Sequence, residues 1–333
     1  MPRRSSSLIL SLLMAASSGS AVTIDWTPIG NPGNACDRHP DDAGCYGSVG
    51  YGYSIGTYEV TNAQYAEFLN AKATAYDVLH LYMEPQMSGS TGGITRSFDG
   101  QRYSHSLIPG RENWPVNWVS YYAALRFVNW MYNGQGNGDT ETGAYTLLGG
   151  TEEPSNWQNI RRTPGTGIFL ARESEWYKAA YYDPASQTYF DYPFASNTQP
   201  TCTSPTSVGN SANCDAGTWS TNDDATDADV DNVTVVGSFS GSRSPYGTFD
   251  QGGNVGEWNE NDRSPVIIFR GGGYFYPVHW MMASDRFELS CCLLHSPSVG
   301  FRVVSLPEPR ADLLRVAGVL SLLGVARWRR ARA

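Results

Sequence analysis

The chain has 333 residues, with 32 Asp and Glu against 23 Lys and Arg and a formal net charge of −9. Its two ends hold eight of the arginines and one aspartate, so the span between them is more acidic still. A surface of that sign repels nucleic acid and anionic lipid, excludes a nucleic-acid partner as the expected role, and suits divalent cations.

Residues 1–21, MPRRSSSLILSLLMAASSGSA, combine Arg3 and Arg4 with a short apolar run from Leu8 to Met14 and small residues Gly19 and Ala21 at cleavage spacing. This order predicts a secretory signal peptide, because a membrane span needs about 20 apolar residues. The span 22–305 that follows is rich in Gly, Tyr and Trp, poor in charge and without an internal linker. It predicts one loop-heavy domain held by aromatic packing. Export places the six cysteines where disulfides persist. Cys36 and Cys45 bracket one short polar loop and Cys202 and Cys214 another, which predicts two local disulfides. Cys291 and Cys292 are adjacent; a vicinal disulfide there is strained, and buried thiols or an intermolecular link are the alternatives.

Three segments read as helices. VTNAQYAEFLNAKA offers Thr61 as an N-cap and sets Tyr65, Phe68 and Leu69 on one face. NWVSYYAALRFVNWM begins near Ser120 with a stripe of Ala124, Phe127, Val128 and Met131, and ARESEWYKAAYY starts at Ser174 and Glu175 with Trp176 and Ala180 inward. Short strands are expected at Tyr51 to Ile55, Val233 to Phe239, Val266 to Arg270 and Gly300 to Val304, and a long surface loop from Asn197 to Asn232.

The last segment, 306–333, runs Pro-Glu-Pro, an apolar stretch from Leu313 to Ala326, then Arg327, Arg329, Arg330 and Arg332. This order resembles the PEP-CTERM sorting signal of Gram-negative bacteria. The resemblance implies an exosortase-type partner, removal at Pro-Glu-Pro, membrane contact through this signal alone, and delivery to the cell surface or extracellular matrix.

Six further motifs arrive in a set order: YEVTNAQYAEFLNA, WPVNWVSYYAALRFVNW, FLARESEWYKAA, GTFDQGGNVGEW, FRGGGY and VGFRV. Together, over roughly residues 50 to 304, they resemble the formylglycine-generating enzyme family, or sulfatase-modifying factors. The resemblance implies a single α/β domain of low regular secondary structure, C-type-lectin-like, with bound calcium and, in active members, copper-dependent oxidation of a substrate cysteine. Active members carry two cysteines after a Gly-Gly-Ser motif, and thiolates at that spacing suit soft Cu(I). The matching positions here are Tyr276 and Met281, Gly273 replaces the serine, and Cys291 and Cys292 lie too far downstream to copy the geometry. Copper is therefore not expected. A second branch uses non-haem iron held by a separate helical domain; His39, His80, His105, His279 and His295 include no i, i+4 pair, and His279 beside Tyr276 is the imidazole to test against a plainly packed ring.

FDQGGNVGEW lacks the cation and helix start of a phosphate loop, and nothing pairs Glu257 with a second carboxylate across a cleft. By resemblance, calcium is held at Asp250, the Gly253 and Val255 carbonyls, and Glu257; the competing reading is a glycine turn with Glu257 in a salt bridge. Gly256, where the family has tryptophan, is expected to loosen the loop. A second calcium site would draw on Asn213 with Asp227 or Asp229, in a run that lacks the glycine and closing glutamate of an EF-hand. The expected function is an exported, surface-sorted and catalytically diverged family member, acting as a calcium-stabilised protein that binds an extracellular glycan or protein. The alternatives are an oxidoreductase with an altered site, of formylglycine-generating or non-haem iron type, and a structural surface protein.

Overall fold

The structure is a computed structural model of the chain, and residues 21–38, 44–215, 232–261, 266–289 and 294–307 are described. The signal peptide, the C-terminal sorting segment, Cys291, Cys292, Asp227 and Asp229 fall outside them.

Local signals place the three helices. Helix α1, Asn62–Lys72, starts at a capping box in which Thr61 Oγ1 accepts the Gln64 N–H at 3.3 Å and Gln64 Oε1 accepts the Thr61 N–H at 2.9 Å. Ser120 caps α2, Tyr121–Tyr132, through the Ala123 N–H at 3.2 Å. The expected stripe Ala124, Phe127 and Val128 is buried and Met131 is partly so, but burial continues round the helix to include Arg126 and Asn129. Helix α3, Glu173–Tyr181, begins one residue earlier than expected, with Glu175 accepting the Arg172 N–H at 2.8 Å.

The strands are short: β1 Trp26–Ile29, β2 Tyr53–Gly56, β3 Ile94–Phe98, β4 Tyr103–Leu107, β5 Ile168–Leu170, β6 Tyr182–Asp183 and β7 Thr188–Tyr189. They continue as β8 Thr201–Cys202, β9 Ser211–Ala212, β10 Gly256–Asn259, β11 Ile267–Arg270, β12 Phe287–Leu289, β13 Val299–Gly300 and β14 Val303–Ser305. Two four-stranded sheets result, β1-β2-β14-β5 and β12-β11-β10-β13, with three two-stranded pairs beside them. This is mostly sheet and loop with three helices among the described residues, matching the expected scarcity of regular structure.

Two strand expectations fail for identifiable reasons. Residues 233–239 are irregular with a turn at 236–237, because their N–H groups are taken outside any ladder: Val236 donates to the Asn113 carbonyl, Ser238 to Val235 and Gly237 to Asp250 Oδ2. The strand expected from Gly300 to Val304 breaks at Phe301 and Arg302, and its halves join different sheets. The break lets the Arg302 side chain enter the interior, where it is fully buried.

One hydrophobic cluster runs from Val22 to Val304 and is dominated by rings. Phe127 of α2 sits 5.9 Å from Tyr65 and 5.6 Å from Phe68 of α1, and 5.4 Å from Phe301. Each such pair adds about 0.5–1.5 kcal/mol beyond area burial. No described helix is long and apolar enough to cross a membrane.

Both expected disulfides form, Cys36–Cys45 and Cys202–Cys214, with Cα separations of 5.3 and 5.0 Å. The second closes the parallel pair β8 and β9. Replacing Cys202 and Cys214 by Ser is expected to cost about 2–3 kcal/mol in denaturant unfolding, an increment absent when the parent is unfolded under reducing conditions.

His105 on β4 gives a pH signature. Its ring is buried with no partner on either nitrogen, and burial, then Arg96, holds its pKa down to about 4 from 6.5. The unfolded chain therefore binds the extra proton between about pH 6.5 and 4, so this group removes stability as pH falls through that window. His105→Leu is expected to flatten that part of the stability–pH curve relative to the parent, as read by urea midpoints.

Candidate functional site

The segment 249–258 is the junction at which the irregular parts of the fold meet. Asp250 and Asn254 both take positive φ, 58° and 57°, and Gly253 lies at 82°. A Cβ on Gly253 would come within 2.4 Å of the Asn213 carbonyl oxygen, so only glycine fits there. The backbone bonds of this segment radiate outward: Phe249 N–H to Thr57, Gly253 N–H to Gly271, Asn254 N–H to Asn213, and Gly256 N–H to Ser298, each to a carbonyl.

At its end, on β10, Glu257 is fully buried. Arg302 grips it with both sides of the guanidinium, Nε to Oε2 at 2.5 Å and Nη2 to Oε1 at 2.6 Å, and Trp176 Nε1 donates to Oε2 at 2.8 Å. The remaining Arg302 N–H groups go to the carbonyls of Gly56, Thr57 and Phe249. Burial pulls the Arg302 pKa down, yet Glu257, backed by Glu59 and Asp250, raises it above the ordinary value. The salt-bridged glycine turn weighed against calcium in the sequence is thus present.

Two more carboxylates stand behind this pair. Asp250 accepts the Gly237 N–H through Oδ2 at 2.5 Å, and burial raises its pKa to about 6 against the pull of that bond and of Arg302. Glu59, absent from the sequence-based site, accepts the Asn254 Nδ2–H at 3.2 Å through Oε1, while Oε2 has no partner. Burial and then Asp250 push the Glu59 carboxyl well above its usual range. In the sequence it is a lone acid between Tyr58 and Val60, ahead of the Thr61 cap.

Calcium collects six to eight oxygens. The structure brings Asp250, Gly253, Val255, Glu257 and Asn213 to one junction, but the Glu257 oxygens face Arg302 and Trp176, and Asn213 turns its amide N–H to the Asn232 carbonyl at 2.8 Å. Among the described residues, no group of three His, Cys, Asp and Glu is arranged to hold a metal. Glu59 Oε2 is the carboxylate oxygen that stands buried at this junction without a hydrogen-bond partner among the described residues.

The positions that the family resemblance assigns to the cleft lie in a cluster of rings packed on Phe269 of β11. Tyr276 stacks on Trp280 at 4.1 Å, Trp280 meets Phe287 at 3.7 Å, and Phe287 stacks on Phe269 at 4.8 Å. Phe275 beside them is 60% exposed. Met281 is fully buried, its carbonyl accepting the Tyr181 hydroxyl at 3.0 Å. His279 is exposed at the edge of Trp280. Gly256 does not loosen the loop as expected: it is buried in β10, and a Cβ there would meet the Gly272 carbonyl oxygen at 2.7 Å and the Phe269 ring at 2.9 Å. The Phe269 ring fills the space.

The chain belongs to the FGE-sulfatase family: its residues 47–306 match the sulfatase-modifying factor enzyme 1-like domain. Among solved structures, it is similar to CarF, at 20% identity over 86% of this chain and 99% of that one, with a TM-score of 0.51. It is also similar to variable protein 1 of Treponema denticola, at 17% identity over 87% and 98%, with a TM-score of 0.52. PvdO from Pseudomonas aeruginosa aligns at 16% identity over 85% and 92%, with a TM-score of 0.46. No curated protein matches the chain. The first two likenesses concern the fold alone.

Removing one partner of a buried ion pair strands the other. Glu257→Ala is expected to lower stability by about 3–5 kcal/mol, read by chemical denaturation, with a similar loss for Arg302→Ala.

Proposed function

We propose that this protein is an exported, surface-sorted member of the family that has left cysteine-to-formylglycine oxidation and serves as a calcium-stabilised binding protein. The observation that carries this reading is the cleft: where two thiolates would stand, Tyr276 is locked in an aromatic stack and Met281 is buried with no exposure. A phenol and a thioether in those states offer no thiolate pair to Cu(I). The stack ends in the exposed Phe275, and an exposed flat ring suits a glycan or a protein segment, in keeping with the lectin-like fold that the family implies. Calcium supplies positive charge to an acidic interior, where Asp250 is the expected first contact. The N-terminal leader, the Pro-Glu-Pro tail and the two disulfides support export, an exosortase-type partner and a surface or matrix location.

Two measurements test the reading. Cu(I) titration of the purified protein is expected to show no tight two-thiolate binding, and a cysteine peptide is expected to survive incubation with the protein, copper and O₂; oxidation of the peptide would restore the oxidoreductase. Glycan-array binding is expected to be saturable, lost on chelation and lost in Phe275→Ala, whereas absence of any saturable ligand would favour a structural surface protein.

A further inference from the structure

We infer that the cavity between α1 and the segment 21–25 binds a short aliphatic diamine, with one ammonium received by the buried Glu59 side chain and the methylenes lying on the apolar wall. The ligand is an organic cation, and the site stands apart from the calcium reading above.

The lining of the cavity carries the argument. Its volume is about 750 Å³, which suits a small organic molecule and far exceeds what a bare ion needs. Ala63, Ala66, Glu67 and Asn70, spaced to share one face of α1, form one side, and Val235 and Val236 contribute apolar surface. Val235 is 43% exposed, so methyl groups stand open to a ligand. No Lys or Arg lines the cavity, whereas Asp25, Glu59 and Glu67 do. His105 lines it too, and burial, then Arg96, keeps that ring neutral at pH 7. The acids are thus the only source of formal charge on the wall, and they draw in cations.

Glu59 supplies the independent sign of a ligand. It is 2% exposed; Oε1 accepts the Asn254 amide at 3.2 Å, while Oε2 is buried with no hydrogen-bond partner among the described residues. Such an oxygen costs free energy until a donor reaches it. Arg302 is not that donor, since its five N–H groups go to Glu257 and to three backbone carbonyls. An ammonium brings three donors on a slim stem. A calcium ion would ask for six to eight oxygens, and a wall of methyl groups does not provide them. Burial, then Asp250, pushes the Glu59 carboxyl above its ordinary range, so the arriving ammonium replaces a proton that leaves to solvent as the ion pair forms. Asp25 and Glu67, both exposed, serve the second positive end, which makes a diamine the better fit than a monoamine.

Calorimetric titration of the purified protein with α,ω-diaminopentane in low-salt buffer tests the site. Saturable binding is expected, and so is an unchanged affinity when millimolar CaCl₂ is added. Glu59→Gln, which keeps an oxygen for Asn254, is expected to weaken binding by about tenfold or more. Val235→Lys, at an exposed position on the wall, is expected to do the same by setting a fixed ammonium in the cavity. Glu67→Gln is expected to lose about two- to fivefold, as an exposed carboxylate does. Pentanediol, with the same stem and no charge, is expected not to bind. Absence of saturable binding by the parent would overturn the inference, as would equal binding of pentanediol or parent-like affinity in a folded Glu59→Gln. If Glu59→Gln does not fold, parent-like affinity in Val235→Lys overturns it instead. Displacement of the diamine by CaCl₂ would assign the cavity to an inorganic cation and overturn it too.

Discussion

The buried pair of Arg302 and Glu257 is the contact on which the rest of the structure leans. A fold with so little helix and ladder leaves many carbonyl oxygens away from water with no strand to receive them, and each needs a donor. A guanidinium offers five N–H groups in a rigid plane, and Arg302 uses them to tie Gly56, Thr57 and Phe249 to β10. The device recurs. Arg270 joins Glu173 to the carbonyls of Ala283 and Asp285, Arg126 joins Glu141 to those of Thr151 and Glu152, and Arg162 joins Glu175 and Glu260 to Leu170. Buried ion pairs of this kind contribute less through net stabilisation than through the cost of any alternative arrangement.

What could be read in the sequence follows the range of the forces involved. Helices α1 and α2 were legible because a cap acts within three residues, and both starts fall at the hydroxyl that marks them. The two disulfides were legible because each closes a short loop. Residues 233–239 misled because their valines look like a strand, while their N–H groups are claimed by Asn113 and Asp250, which no local pattern announces. Arg302 in VGFRV carries no sequence signal of burial; the break between β13 and β14 turns it inward. Glu59 stayed hidden for the same reason, since its neighbours Asn254 and Asp250 lie far along the chain.

The scaffold motifs and the positions at the ring cluster stand differently against the pattern that the family resemblance implies. The motif order, the caps and the glycine turn at Gly253 are kept, whereas Tyr276, Met281 and Gly273 replace the chemistry-bearing positions implied by the family. This division is physical. Scaffold positions are fixed by buried polar satisfaction, which tolerates few substitutions.

The meeting of Gly256 and Phe269 constrains how such a cleft can change again. A side chain returned to position 256 would collide with the Gly272 carbonyl and with a ring already stacked on Phe287, and Met281 is wedged near Gly252 beneath the Tyr181 hydroxyl. A single substitution there would therefore overpack the site. A larger side chain at position 256 is accommodated only together with changes at Phe269 and the rings stacked on it.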